Sequence, residues 1–289
     1  MTAALSLSGV SHRYRPERWA LHDCTVSVPA GRVVALVGPN GSGKTTLLNL
    51  AAGLLRPTAG TVLVHGGMPS QRLARMGYVA QDAPLWPRLR VADVIEIGRC
   101  MNPGFDGELA QARVRALDIP PRARIQTLSG GQRAQVALSL VLAKRPDLLL
   151  LDEPLANLDP LARREFLASM LGSCADEGVA VLFSSHAIAE LERICDYLIV
   201  LRNGRVRIAG DVDELRATHR IVTGPLGWPD RASVTVVSAT STAGRTTALV
   251  QLAGGVSIGP GLDEAQPTFD ELALGYLATS HPALDEVPA

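Results

Sequence analysis

The sequence predicts an α/β fold built on a mainly parallel sheet, and three observations carry that prediction. The runs at 33–37 (VVALV), 147–153 (DLLLLDE) and 179–185 (VAVLFSS) are apolar without alternation, as strands covered on both faces are. Stretches of helical character at 45–54, 131–145 and 160–177 lie between them, so strand and helix alternate along the chain. Residues 198–210 read as two short strands joined through Asn203-Gly204, a dipeptide suited to the left-handed turn of a tight hairpin.

The other elements follow in order. Cys24, Val26 and Val28 alternate with Thr25 and Ser27, which suits a half-buried antiparallel strand ahead of the turn at Pro29-Ala30-Gly31. A short strand is expected at 77–80 (GYVA). Between 82 and 127 Pro84, Pro87, Pro103, Pro120 and Pro121 punctuate helical pieces at 91–100 and 107–117. With the helix that follows, they make a helical insert over about 82–145. Beyond residue 218 the texture shifts to Gly- and Pro-interrupted strands at 233–237, 246–252 and 256–258. A helix at 267–277 closes this region: Thr268 and Glu271 form a capping box, and Phe269, Leu272, Ala273, Tyr276 and Leu277 make one apolar stripe. The expected division is a main domain at 1–218 and a small α+β accessory domain at 219–289.

Composition narrows the function classes. The 289 residues are 47% hydrophobic, enough for a substantial core, and carry zero formal net charge. No basic footprint points to nucleic acid as a partner. Cys24, Cys100, Cys174 and Cys195 are scattered without metal-ligand spacing, so free thiols in a reducing compartment are expected. The N-terminus lacks the pattern of a signal peptide, and no apolar run reaches about 18 residues. A soluble cytoplasmic chain is the expectation. Lys44 and Lys144 are the only lysines among 28 basic residues. A generic cation here is an arginine, so Lys44 marks a place where a compact ammonium is wanted.

Lys44 lies in GPNGSGKT, 38–45, between an apolar strand and a helix. Gly38, Pro39, Asn40, Gly41, Ser42 and Gly43 can curl backbone N–H groups around phosphates, with Lys44 reaching the β and γ oxygens. The Thr45 hydroxyl is placed for Mg²⁺, and Thr46 continues the helix. At the end of another apolar strand, Asp152 can hold Mg²⁺ through water, and Glu153 beside it suits a general base for the attacking water. Ser129-Gly130-Gly131-Gln132 opens a further apolar helix. It is a second place where N–H groups can approach an anion. The plain alternative is an N-cap by Ser129, although a cap alone does not call for Gly-Gly-Gln after it.

In this order and spacing, Lys44-Thr45, Ser129-Gly130-Gly131-Gln132 and Asp152-Glu153 resemble the nucleotide-binding subunit of an ABC transporter over about residues 3–215. The resemblance implies a P-loop NTPase (RecA-like) parallel-sheet core with an N-terminal antiparallel β subdomain and a helical subdomain. It implies ATP and Mg²⁺ as ligands, the metal held by Thr45, Gln81 and Asp152. Tyr14 matches the aromatic that stacks on adenine, and His186 the switch histidine at the γ-phosphate. Gln81 matches the glutamine linking Mg²⁺ and water to the helical subdomain, and Leu158-Asp159 the loop that crosses the dimer interface. Glu153, His186 and Gln81 form the implied hydrolytic set.

The same resemblance implies two subunits packed head to tail, Ser129-Gly130-Gly131 of one capping the ATP on the phosphate loop of the other. A homodimer and a heterodimer with a paralogous ATPase subunit both remain open. The implied partner is a membrane permease on a separate chain, reached from the cytoplasmic face of the membrane, where this chain is peripheral. Residues 98–106 (GRCMNPGFD) and the tail are most similar to subunits of bacterial type-2 multidrug and antibiotic exporters, which makes export the expected direction. Ala156 and Ala134 depart from the family pattern outside the hydrolytic set. Trp86 and Leu89 fit either permease packing or the insert's own core. A soluble ABC ATPase of translation or DNA repair is the alternative. The single phosphate loop and the short, proline-broken 82–127 weigh against it.

Overall fold

The computed structural model describes residues 3–15, 18–82, 84–175, 178–226, 228, 234–242, 244–252 and 261–278. An antiparallel sheet is made by β1 (Ala3–Arg15), β2 (Arg18–Pro29) and β4 (Ala59–Val64), in the order β2-β1-β4. The alternation at 24–28 belongs to this sheet: Cys24, Val26 and Val28 are buried while Thr25 and Ser27 face out. Register shifts between Leu7 and Val10, and again before Arg13, break the alternation of β1.

The central sheet has six strands in the order β5-β6-β7-β3-β8-β9: β3 (Val33–Val37), β5 (Met76–Val79), β6 (Leu148–Asp152), β7 (Ala180–Ser185), β8 (Tyr197–Arg202) and β9 (Arg205–Asp211). The first five run parallel, and β9 returns antiparallel to β8. Its turn is the expected Asn203-Gly204, both with positive φ, 50° and 69°. Val34, Leu36, Leu148, Leu150 and Leu182 point from one face of the sheet toward the antiparallel sheet and helix α1 (Lys44–Ala51). Ala35, Val37, Leu149, Leu151 and Phe183 point the other way, into a core shared with α4 (Gly130–Leu142), α5 (Pro160–Ala175) and the short α6 (Ile188–Leu191). Burial on both faces is the physical reason these runs carry no polar alternation.

Helices α2 (Val91–Met101) and α3 (Gly107–Ala116) pack with the buried Ile125, Val136 and Ala143 in a core of their own, which is the expected helical insert. Leu89 packs into that core, whereas Trp86 is 56% exposed. The two residues therefore have different fates. Cys24, Cys174 and Cys195 are buried free thiols and Cys100 an exposed one.

After α7 (Val212–Thr218) the chain forms a second antiparallel sheet, ordered β11-β12-β10-β13, from β10 (His219–Pro225), β11 (Thr235–Thr242), β12 (Arg245–Gln251) and β13 (Asp263–Ala265). The strand expected at 256–258 lies outside the described residues. Helix α8 (Phe269–Ala278) starts with the expected capping box: Glu271 N–H donates to Thr268 Oγ1 at 3.1 Å, and Thr268 N–H to Glu271 Oε2 at 2.8 Å. Its stripe does more than close the second sheet. Phe269, Leu272 and Ala273 join one continuous core with Val237 and Leu249 of that sheet and with Ile188, Leu191, Leu198 and Val212 of the main body. Gly275 lets α8 approach β12 closely, since a Cβ there would lie 2.3 Å from Leu249 Cδ2.

Candidate active site

Four neighbouring strands end on the same side of the central sheet. The 38–43 loop follows β3, Asp152 and Glu153 end β6, Ser184, Ser185 and His186 end β7, and Gln81 follows β5. The carboxyl edge of a parallel sheet is where ligands bind in such folds.

The 38–43 loop is shaped by crowding. A Cβ on Gly38 would lie 2.3 Å from the Leu201 carbonyl oxygen, and one on Gly43, at φ 106°, 2.5 Å from that of Ala20. Ser42 N–H donates to the Pro39 carbonyl at 3.1 Å, which closes the turn. Helix α1 then begins at Lys44 with its N-terminus aimed at the loop. Lys44 is buried, its Nζ donating to the Gly38 carbonyl at 2.7 Å and lying 3.2 Å from Glu153 Oε1.

Glu153 sits in the left-handed region at φ 47°, a conformation that costs a residue with a Cβ about 1–2 kcal/mol. The turn swings its carboxylate between Lys44 and the histidine. His186 Nδ1 lies 2.7 Å from Glu153 Oε2, and His186 N–H reaches the same oxygen at 3.3 Å. Ser184 hydroxyl, fully buried, donates to Asp152 Oδ1 at 2.8 Å and accepts from Glu153 N–H at 3.0 Å.

A cavity of about 790 Å³ opens over these groups. Asn40, Gly41, Gly43, Lys44, Thr45, Thr46, Gln81, Glu153, His186 and Tyr14 line it. Gly38, Pro39 and Ser42 form the turn behind the lining. Tyr14 is 56% exposed, and its hydroxyl hydrogen-bonds Thr46 Oγ1 at 3.2 Å. Its ring is tethered at the hydroxyl end and meets the His12 ring edge to face, the centroids 4.9 Å apart. Arg15, Arg18 and Trp19 also line it, and the sequence reading passed over them because isolated arginines and a tryptophan near a turn carry no motif.

The donors suit Mg²⁺. Asp152 is fully buried and its Oδ2 has no hydrogen-bond partner, an oxygen left available for a cation or its water. No group of three or more His, Cys, Asp or Glu able to hold a metal occurs among the described residues. Asp152, Thr45 and Gln81 are the residues that would hold such a cation, alongside oxygens of a bound nucleotide.

Ser129, Gly131, Gln132 and Asp159 line a separate hollow of about 180 Å³ that shares no residue with the cavity over Lys44. Ser129 Oγ accepts from Gln132 N–H at 3.1 Å, and Gln132 Oε1 accepts from Ser129 N–H at 3.0 Å. Against the expectation that a cap alone does not call for Gly-Gly-Gln, Gln132 closes the capping box opened by Ser129. A Cβ on Gly131 would lie 2.9 Å from that of Ala162, and one on Gly130 3.3 Å from the Asn157 carbonyl. Asp159 Oδ1 accepts from Leu161 and Ala162 N–H, each at 3.0 Å, capping α5. These residues have local work to do, and within one chain they stand apart from Lys44.

Comparison with known proteins places the chain in a family. The family described as ABC transporter matches residues 21–156, and a model described as an AAA domain matches 124–192. The chain is 35% identical over 228 residues to the thiamine import ATP-binding protein ThiQ of Shigella flexneri, covering 75% of this chain and 94% of that one. It is 35% identical over 252 residues to the molybdenum import ATP-binding protein ModC of Rhodobacter capsulatus, covering 83% and 68%. The structure of cbiO1 from Clostridium perfringens, part of the ABC transporter complex cbiONQ, superposes with a TM-score of 0.65 at 26% identity, covering 75% and 92%.

Proposed function

This chain belongs to the ABC transporter family as an ATP-binding subunit and is an ATPase, and we propose that it is the motor that drives a separate membrane permease by hydrolysing ATP at the Lys44–Glu153–His186 site. The observation that carries the residue assignments is the convergence of those three side chains, with Asp152 beside them, at the ends of adjacent strands.

In this reading the 38–46 loop holds the triphosphate, and Tyr14 stacks on the adenine. Thr45, Asp152 and Gln81 hold Mg²⁺, which when bound neutralises charge on the β- and γ-phosphates. Glu153 takes a proton from the attacking water as its oxygen bonds to the γ-phosphorus and the bond to the β-phosphate oxygen breaks. ADP leaves with that oxygen, and the proton passes on to phosphate or solvent. His186, when Nδ1 carries its proton, donates to Glu153 Oε2 and holds the carboxylate in line. Replacing Lys44 by Ala abolishes ATP binding if this assignment is right; undiminished affinity contradicts it.

Ser129, Gly130, Gly131 and Gln132, with Asp159, face the nucleotide of a second subunit, identical or paralogous. The hollow they border shares no residue with the chain's own cavity, which supports this trans role. The insert and core flank an apolar hollow of about 540 Å³, rimmed by the exposed Leu54, Leu73 and Met101. An apolar patch of that kind suits a permease segment. No helix among the described residues is long and apolar enough to cross a membrane, and a peripheral place on the cytoplasmic face fits the motor role.

The thiamine and molybdenum relatives are import proteins by name, so they lend no support to the export reading of 98–106. Direction is assigned to the permease, and cargo flux in vesicles carrying the pair decides it. Residues 1–218 form the ATPase unit in this reading and 219–289 an accessory unit, joined through α8.

A further inference from the structure

Ser184 has no chemistry of its own in hydrolysis, yet it hydrogen-bonds the Asp152 carboxylate and the backbone N–H of Glu153. It sits on β7 directly across from Asp152 on β6, and it is fully buried, so water cannot stand in for its hydroxyl. Two partners meet its oxygen: Glu153 N–H at 3.0 Å and Asp152 Oδ1 at 2.8 Å. The backbone N–H can only donate, so the single hydroxyl proton goes to Asp152.

We propose that Ser184 is the positioning residue of this site, setting by one hydroxyl which oxygen Asp152 offers to Mg²⁺ and where Glu153 points. By engaging Oδ1, it leaves the buried Oδ2, which has no partner, as the oxygen for the cation's shell. By accepting from Glu153 N–H, it holds that residue's backbone at φ 47°, the conformation that puts the carboxylate between Lys44 and His186. Ser185, next along the strand, does a local task instead: its hydroxyl accepts from Ala187 N–H at 2.9 Å. A serine two residues before a histidine in an apolar strand carries no motif; only the pairing of β6 with β7 gives it this place.

The inference rests on the hydrolytic reading above, and its test separates the two. ATP affinity is measured calorimetrically on the full chain with Mg²⁺ and with chelator, together with turnover. Ser184→Ala should bind metal-free ATP within about twofold of the unaltered chain. It should lose about 10–100-fold in turnover and about as much of the affinity gained with Mg²⁺, the usual loss when an outer-shell partner is removed. Ser184→Cys, close in size and with a weak donor, should recover part of both, and it carries the test if the alanine form does not fold. Asp152→Asn is the control and should abolish the Mg²⁺ gain. If the control behaves so while the Ser184 variants keep full Mg²⁺ gain and turnover, the positioning role is overturned alone. If the unaltered chain and Asp152→Asn gain equally from Mg²⁺, the metal assignment falls and this inference with it.

Discussion

Lys44 Nζ lies 3.2 Å from one oxygen of Glu153, and His186 Nδ1 lies 2.7 Å from the other. The carboxylate is thus shared between the phosphate loop and the end of β7. In the proposed mechanism a triphosphate would compete with Glu153 for the Lys44 ammonium, and the freed Oε1 would be the oxygen that meets the attacking water.

Glu153→Gln removes that competitor and the base together. ATP affinity should hold or rise, while turnover should fall by about 10²–10⁴, the usual worth of a positioned general base. Equilibrium ATP binding and phosphate release, measured separately, check this. A variant that hydrolyses at the unaltered rate takes Glu153 out of the mechanism.

The tail contributes to stability more than to binding. Every proposed phosphate and metal ligand precedes residue 218, but Phe269 is fully buried in the core shared with Leu191 and Leu198. Phe269→Ala should cost about 3–5 kcal/mol in denaturant unfolding and leave the ATP affinity of the folded chain within about twofold, a change of under 0.5 kcal/mol. A chain ending at Ala217 should melt lower still, and bind Mg-ATP where it remains folded. Loss of binding in a folded truncated chain would show that the tail shapes the site.

His219 makes the attachment of α8 sensitive to acid. It is fully buried, with Nδ1 2.8 Å from the Leu215 carbonyl and Nε2 2.8 Å from the Tyr276 hydroxyl on α8. The carbonyl can only accept, so Nδ1 carries the proton and Nε2 accepts from Tyr276. Burial pushes the imidazole below its ordinary value of 6.5. The unfolded chain then takes up the proton first. This stability is complete above the ordinary value and is lost as pH falls from there toward the depressed one. Melting temperature should drop more steeply between about pH 7.5 and pH 5.5 in the unaltered chain than in His219→Gln, a window about one unit either side of the ordinary imidazole value. Equal slopes would contradict this.

Much of the fold was legible because covering a parallel sheet on both faces leaves a plain signal. VVALV, LLLL and VAVLF are β3, β6 and β7, and Asn203-Gly204 is the hairpin turn. β1 was missed because its register shifts scramble the period-two pattern. The stripe at Phe269, Leu272 and Ala273 was visible, but periodicity says which face is apolar and not what covers it. It therefore read as closing its own domain, whereas it also packs on the main body. At the site, Lys44, Asp152 and Glu153 were legible through their motifs. The reach of Glu153 to Lys44 joins residues about 110 apart in the chain, and the bridge through Ser184 joins neighbouring strands about 30 residues apart, which a linear pattern does not report.

The central claim is that Ser129, Gly130 and Gly131 complete the nucleotide site of a second subunit, and mixed dimers test it most directly. Lys44→Ala disables the phosphate loop, and Gly130→Asp puts a side chain and a negative charge where an anion should dock. Each alone should hold no closed ATP site. In the mixed dimer the Gly130→Asp subunit keeps a sound phosphate loop, and the Lys44→Ala subunit offers it a sound second loop. With random pairing at equal amounts, half the dimers are mixed and each has one whole site, so about a quarter of the unaltered ATP occupancy should return. The control pairs an unaltered subunit with one carrying both changes: the trans arrangement gives it no whole site and a cis arrangement gives it one. Random pairing also leaves a quarter of the control dimers fully unaltered, so both kinds of mixed dimer are purified through a different tag on each subunit. Retained ATP in the purified single-change dimer and none in the purified control dimer is the predicted result. ATP held by the purified control dimer as well as by the single-change dimer would contradict the trans arrangement.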